Sequence, residues 1–119
     1  MANVKEIIND KIAKKKVMVF SKPGCPFCVM AKNVLEKYVG KGQIIEPEDY
    51  EVWEINKDPN CGQIQGELAE MTGARTVPRV FINGTCIGGG TETRALDSSK
   101  QLVEMLKKST AQKIQQKQF

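Results

Sequence analysis

Two cysteines separated by two residues, Cys25 and Cys28, are the side chains of this sequence best suited to chemistry. Cys25 falls where an apolar run typical of a buried strand ends and a helical pattern begins. Free backbone N–H groups at the start of a helix favour a negative charge, so this position favours a reactive thiolate at Cys25. Cys28 lies one helical turn further, near enough to attack a disulfide formed at Cys25. The pair therefore predicts thiol–disulfide exchange, with Cys25 as the nucleophile and Cys28 as the resolving thiol.

The same pair could instead be ordinary packing cysteines or half of a structural zinc site. Such a site needs a second close pair of ligands, yet Cys61 and Cys86 are far apart in the sequence and the chain has no histidine. We therefore expect no metal site, and we expect Cys61 and Cys86 to serve packing. A Cys-x-x-Cys pair at a strand-to-helix junction is, in contrast, typical of redox proteins.

The elements that must position the pair follow from the apolar periodicity of the chain. In the first half of the chain it predicts a helix over residues 3–14, a strand over 17–20, and a helix that begins at Pro26 and can end at Gly40 or Gly42. A strand over 51–55 follows, and then a helix that is capped by Asn60 and Gln63 and ends at Gly73. The last predicted elements are two strands around Asn83-Gly84 and a helix over 93–107. The Asn-Gly pair indicates a tight hairpin. Parallel strands joined through helices and followed by a hairpin predict an α/β fold, a mixed sheet with helices on both faces.

Length and composition limit the classes of protein that the chain can represent. With 119 residues, 40% of them hydrophobic and 27% charged, we expect one globular domain over residues 1–107 and a polar tail over 108–119. The net charge of +4 is modest and no nucleic-acid-binding motif accompanies it, so no nucleic-acid partner is expected. Because no apolar run approaches about 18 residues and no secretory signal is present, we expect a cytoplasmic protein without membrane association. We also expect a monomer.

Three segments in a fixed order carry a family resemblance. They are Ser-Lys-Pro-Gly-Cys-Pro-Phe-Cys over residues 21–28, Thr-Gly-Ala-Arg-Thr-Val-Pro-Arg-Val-Phe-Ile over residues 72–82, and Gly-Gly-Gly over residues 88–90. Together they resemble the dithiol glutaredoxins of the thioredoxin superfamily, whereas the Trp-Cys-Gly-Pro-Cys motif of thioredoxins proper is absent. The resemblance implies a thioredoxin fold with a four-stranded mixed sheet and a cis Val77–Pro78 peptide bond. It also implies an enzyme, a glutathione-dependent oxidoreductase that reduces protein disulfides and protein–glutathione mixed disulfides.

The resemblance further implies a set of glutathione contacts. Lys22 and Gln65 would hold the glycine carboxylate, and Thr91 and Glu92 would hold the γ-glutamyl end. The remaining contacts would be Phe27, Thr76, Val77 and Pro78, with the backbone of Val77 pairing with the extended tripeptide. Phe27 stands where the family usually has Tyr, and Glu92 stands where Asp is usual. We therefore expect a glutathione affinity that differs from the family norm.

Two alternatives remain at this stage. Some glutaredoxins dimerise around a [2Fe-2S] cluster that the first cysteine and glutathione ligate, although Pro26 after Cys25 disfavours this by family comparison. The second alternative is the N-terminal domain of a glutathione transferase, which the absence of a following helical domain in this sequence disfavours. The preferred hypothesis has glutathione as the cofactor and glutathionylated or disulfide-containing proteins as the partners.

Overall fold

A four-stranded sheet lies at the centre of the structure, a computed structural model that describes residues 3–108. Its strands are β1 (Val17–Ser21), β2 (Tyr50–Glu54), β3 (Arg79–Ile82) and β4 (Thr85–Gly88). They lie in the order β2-β1-β3-β4, with β1 parallel to β2 and antiparallel to β3, and with β3 antiparallel to β4. The predicted mixed sheet is therefore confirmed.

Helices cover both faces of this sheet because side chains on neighbouring positions of a strand point to opposite sides. The helices are α1 (Val4–Lys14), α2 (Pro26–Glu36), α3 (Cys61–Thr72), α4 (Gly90–Ser98) and α5 (Gln101–Lys107). Val17 and Val19 of β1 pack in a core with residues of α2 and α5, whereas Met18 and Phe20 pack with residues of α1 and α3. This two-sided core confirms the predicted α/β architecture.

The hairpin between β3 and β4 forms at Asn83 and Gly84 as predicted. Both residues have a positive φ, 50° and 85° respectively. A two-residue turn with both residues in the left-handed region matches the right-handed twist of the flanking strands, and Asn-Gly is the pair that adopts it most readily. The hairpin fixes β4 and hence the start of α4, which borders the candidate site.

The single helix predicted over residues 93–107 is wrong in two respects. It begins earlier, at Gly90, and it is broken into α4 and α5 at Lys100, which has a φ of 67°. In an unbroken helix Leu102 would lie about 240° around the axis from Leu96, on a different face. The break changes the phase, so that Leu102 and Leu106 are both fully buried.

Two predicted helix ends also differ from the structure. Asn60 makes no side-chain cap for α3; its own N–H donates to the Asp58 carboxylate at 2.8 Å, so the predicted cap with Gln63 is wrong. Likewise α2 ends at Glu36 and not near Gly40, because the chain turns back so that the Gly40 N–H donates to the Ile45 carbonyl at 3.0 Å.

Among residues 3–108, none of the helices combines the length and the apolar character that a bilayer-spanning segment requires. The polar tail expected over residues 108–119 lies outside the described residues, apart from Lys108. The domain boundary at residue 107 therefore stays a prediction.

Asp97 links α4 to the end of α2 through both of its carboxylate oxygens. The Lys37 ammonium lies 2.6 Å from one oxygen, and the Tyr38 hydroxyl donates a hydrogen bond to the other. These two contacts, Lys37 first and Tyr38 second, lower the pKa of Asp97 below its ordinary value. The link fastens α4, and with it the residues at its N-terminus, to the helix that follows Cys25.

We expect Asp97→Asn to lower the free energy of unfolding by about 1 kcal/mol at neutral pH, because Tyr38 then donates to a neutral acceptor. Since the pKa of Asp97 is lowered on folding, its contribution is present above about pH 3.9 and is lost as the pH falls further. Urea unfolding of both proteins at neutral and acidic pH measures this. Asp10→Asn, which breaks an exposed pair with Lys14, serves as the control with little change expected. An equal deficit for Asp97→Asn at both pH values would contradict the assignment.

Candidate active site

Cys25 is held at the junction of β1 and α2, where the sequence places it. Gly24 precedes it with a φ of 73°, in the left-handed region that glycine adopts without steric cost. Cys25 is the N-cap of α2, and its sulfur accepts a hydrogen bond from the Cys28 N–H at 3.3 Å. Pro26 occupies the first position of the helix, where a missing N–H costs nothing. A backbone donor therefore points at the sulfur and stabilises negative charge that it carries during exchange.

Cys28 occupies a different environment although it lies only one turn further along α2. Its side chain is fully buried, whereas Cys25 is partly exposed, and both are free thiols. Burial first, and then the hydrogen bond with Cys25, raise the pKa of Cys28, while the Lys22 backbone and the Ser21 hydroxyl lower it less. Cys28 therefore rests as a neutral thiol, and only the Cys25 sulfur is open to a partner molecule.

The Val77–Pro78 peptide bond lies beside the two cysteines and is cis, as the family resemblance implies. The Val77 carbonyl accepts a long hydrogen bond from the Cys25 thiol, with 3.8 Å between oxygen and sulfur. Pro78 is buried, whereas Val77 is partly exposed and Thr76 is exposed. The segment before β3 thus presents backbone groups next to the reactive sulfur.

Lys22 and Gln65 lie together although 43 positions separate them in the chain. The Lys22 Nζ lies 3.3 Å from the Gln65 Oε1, and the Gln65 Nε2 donates to the Arg75 carbonyl at 3.1 Å. Gln65 comes from α3, and Lys22 comes from the turn between β1 and α2. The structure therefore brings together a cation and an amide where the resemblance places a carboxylate subsite.

A groove of about 360 Å³ lies where the turn before β3 faces the N-termini of α2 and α4. Its walls contain most of the remaining residues selected from the sequence; they are Phe27, Thr76, Val77, Pro78, Thr91 and Glu92, with Arg79, Gly89 and Gly90 beside them. Phe27 is 53% exposed, and its ring forms an open aromatic wall. Lys22 and Gln65 are not among the residues that line this groove.

Glu92 has a structural contact that the sequence analysis did not include. Its Oε1 accepts a hydrogen bond from the Gly89 N–H at 2.6 Å, and the Thr93 hydroxyl donates to the Gly89 carbonyl at 2.8 Å. These contacts fix the first turn of α4, while the Glu92 side chain stays exposed at the groove. A role of Glu92 in ligand binding must therefore be separated experimentally from its role in capping.

Arg79 is a lining residue that the sequence analysis did not select. Its Nε donates to the Pro78 carbonyl at 3.1 Å, and its Nη2 lies 3.2 Å from where a Cβ on Gly89 would stand. The guanidinium thus brings positive charge to a groove that also contains the Glu92 carboxylate. An arginine at the start of an otherwise apolar strand was the available signal in the sequence.

Comparisons with known proteins agree with this geometry. The family model described as Glutaredoxin matches residues 17–87. Glutaredoxin-1 from Homo sapiens is 41% identical over 102 residues, which cover 86% of this chain and 92% of that protein. The structure of oxidized glutaredoxin 2 from Chlamydomonas reinhardtii aligns with a TM-score of 0.76 at 38% identity, over 87% of this chain and 90% of the other.

A second structural relative adds a ligand. The buckwheat glutaredoxin–glutathione complex aligns with a TM-score of 0.75 at 28% identity, over 87% of this chain and 86% of that one. The family model covers more than half of the chain, and the first relative is similar along nearly its whole length. With its Cys-x-x-Cys pair at the start of α2, the chain belongs to the glutaredoxin family of thioredoxin-fold proteins and is a thiol–disulfide oxidoreductase.

Proposed function

We propose that this chain uses glutathione to reduce protein disulfides and to remove glutathione from protein thiols. The observation that carries the proposal is the position of the Cys25 sulfur, 3.8 Å from the Val77 carbonyl. The other residues predicted to contact glutathione are the Lys22–Gln65 pair and the residues that line the groove together with Val77. The buckwheat glutaredoxin that shares this fold was solved with glutathione, which supports the same ligand class here.

Glutathione matches the charges of the two regions. Its glycine carboxylate would bind the Lys22 ammonium and the Gln65 amide, which lie 3.3 Å apart. Its cysteinyl backbone would pair with Val77 as a short strand does, which requires no side chain. The Phe27 ring would flank this part of the tripeptide.

The γ-glutamyl end carries both an ammonium and a carboxylate. The exposed Glu92 carboxylate would bind the ammonium, and Thr91 would lie beside the γ-glutamyl group in the first turn of α4. The N-terminus of a helix favours a nearby anion, which suits the carboxylate. Thr76 and Pro78 complete the opposite wall.

Removal of glutathione from a protein requires only Cys25. The Cys25 thiolate attacks the glutathione sulfur of the mixed disulfide, and the protein leaves as a thiolate while glutathione remains on Cys25. A second glutathione thiolate then attacks the sulfur of that bound glutathione. Oxidised glutathione forms, and the electron pair of the broken bond restores the Cys25 thiolate.

Reduction of a protein disulfide uses both cysteines. Cys25 attacks one sulfur of the substrate, forms a mixed disulfide and releases the other substrate sulfur as a thiolate. Cys28 then attacks the Cys25 sulfur, which releases the reduced protein and leaves a Cys25–Cys28 disulfide. Two glutathione molecules reduce that disulfide and leave as oxidised glutathione. The expected monomeric state and cytoplasmic location stay predictions.

We expect Glu92→Gln to raise the KM for glutathione about 3- to 10-fold with little change in kcat, because the amide keeps an acceptor for Gly89 but loses the charge. Glu92→Ala should raise the KM similarly and also lower the urea midpoint through loss of the cap. Steady-state kinetics with varied glutathione measure this. Glu104→Gln, on α5 away from the groove, is the matched control. An unchanged KM in Glu92→Gln would show that the carboxylate does not bind glutathione.

We expect Cys28→Ser to separate the two activities of the enzyme. Removal of glutathione from a protein should persist or rise, since the variant cannot divert the Cys25–glutathione intermediate into the internal disulfide. Reduction of a protein disulfide should fall strongly, at least about 10-fold, because no thiol remains to resolve the mixed disulfide. Both activities are measured on one preparation. A parallel loss of both would mean that Cys28 is needed for the first attack or for folding.

A further inference from the structure

The groove beside Cys25 contains two opposite charges that do not pair with each other. Of the residues that line it, Arg79 and Glu92 are the charged ones. Among residues 3–108, no ion pair includes either of these side chains. Opposite charges that share a groove without contact can both bind a ligand that carries the two complementary charges.

Gly89 shows how close the two charged groups lie. A Cβ on Gly89 would stand 3.2 Å from the Arg79 Nη2 and 3.4 Å from the Glu92 Oε1, with the Pro78 carbonyl also at 3.2 Å. These distances are tight for a Cβ, so a side chain at this buried position would displace one of its neighbours. Glycine therefore allows the guanidinium and the carboxylate to approach the same point at the start of α4.

The Arg79 guanidinium keeps most of its hydrogen-bond donors available. Its Nε donates to the Pro78 carbonyl at 3.1 Å, which holds the group against the turn before β3. In the part of the chain that the structure describes, Nη1 and Nη2 have no hydrogen-bond acceptor. Because the N–H groups on these two atoms form a planar fork, they match the two oxygens of a carboxylate.

The Glu92 carboxylate has one oxygen occupied and one available. Its Oε1 accepts the hydrogen bond from the Gly89 N–H at 2.6 Å, which fixes the carboxylate in the first turn of α4. For Oε2, residues 3–108 supply no donor. Since Glu92 is exposed at the groove, Oε2 can accept a hydrogen bond from the ammonium of a ligand.

We infer that Arg79 is a specificity-determining residue that binds the α-carboxylate of the γ-glutamyl end, an inference that rests on the proposed use of glutathione. The γ-glutamyl end carries an ammonium and a carboxylate on one carbon atom, so it needs an anion and a cation close together. Arg79 and Glu92 supply this combination. The Lys22–Gln65 pair supplies a cation and an amide, which suit the lone carboxylate of the glycine end. The charges thus give the bound tripeptide one direction.

The first step of the exchange, in which the tripeptide moves onto Cys25, tests this role of Arg79. The substrates are mixed disulfides of nitrothiobenzoate with three tripeptides. The first tripeptide is glutathione, the second is γ-aminobutyryl-cysteinyl-glycine, which lacks the α-carboxylate, and the third is glutaryl-cysteinyl-glycine, which lacks the ammonium. Cys25 attacks the tripeptide sulfur, the disulfide bond breaks, and its electron pair leaves with the coloured nitrothiobenzoate.

The parent protein for this experiment carries Cys28→Ser, Cys61→Ser and Cys86→Ser, so that the reaction stops once the tripeptide is bound to Cys25. Stopped-flow absorbance gives the second-order rate constant for each disulfide. The mass of the intact protein confirms that the tripeptide, and not nitrothiobenzoate, remains on the enzyme.

We expect the parent to react at least about 10-fold faster with the glutathione disulfide than with the aminobutyryl analogue, because the analogue lacks one charge-assisted contact. Arg79→Gln should lower the rate constant for glutathione about 10-fold and leave that for the aminobutyryl analogue nearly unchanged, so that this preference disappears. Arg79→Gln should keep most of the preference over the glutaryl analogue, which Glu92→Gln should remove.

Two further variants separate charge from geometry. Arg79→Lys should keep about a 3-fold preference for glutathione over the aminobutyryl analogue, because it retains the charge but loses the fork. Arg94→Gln is the matched control, because it removes an arginine charge from α4 at a residue that does not line the groove. It should leave all three ratios unchanged.

An unchanged preference in Arg79→Gln, or an equal slowing with all three disulfides, would overturn the inference, since Arg79 would then only support the turn before β3. Urea midpoints show whether each variant is folded. If Arg79→Gln does not fold, Arg79→Lys decides, and an unchanged preference there overturns the inference. A parent that reacts no faster with the glutathione disulfide than with the mixed disulfide of mercaptoethanol would instead contradict the proposed use of glutathione.

Discussion

The hydrogen bond from the Cys28 N–H to the Cys25 sulfur places the reactive atom at the start of a helix, and most of the fold serves to keep it there. β1 brings the chain to that point through a buried core, and Gly24 makes the left-handed turn before the sulfur. The backbone donor stabilises charge on the sulfur at every step in which a disulfide forms or breaks at Cys25. The turn before β3 then sets the Val77 carbonyl against the same sulfur.

The placement of Cys25 at the start of α2 also gives the two thiols, one turn apart, different exposure to solvent. Cys25 is partly exposed to solvent, whereas Cys28 is fully buried. The partly exposed sulfur of Cys25 can meet a large protein substrate, whereas the buried sulfur of Cys28 lies one helical turn from Cys25. The same fold thus assigns contact with the substrate to one thiol and resolution of the mixed disulfide to the other.

Local patterns predicted much of this structure, while features that depend on packing between distant segments were missed. The Asn83-Gly84 hairpin and the Cys25 helix start follow from residue types alone, and both are confirmed. The break at Lys100 was missed because residues 93–107 satisfy a helical period overall, and only the burial of Leu102 shows the change of phase. The positions of Arg79 at the groove and of Ser21 opposite Glu54 depend on how the strands pair, which local sequence patterns do not reveal. The Lys22 and Gln65 pair came from family resemblance and not from periodicity.

Cys25 carries the exchange chemistry, and Cys25→Ser removes the sulfur on which that chemistry depends. A serine hydroxyl cannot form a mixed disulfide, so glutathione-dependent reduction of a protein–glutathione mixed disulfide should fall at least about 100-fold. Cys86→Ser is the matched control, because Cys86 lies on β4 and is not among the residues that line the groove, so its variant should keep its activity. Substantial turnover by folded Cys25→Ser protein would show that another group carries the exchange.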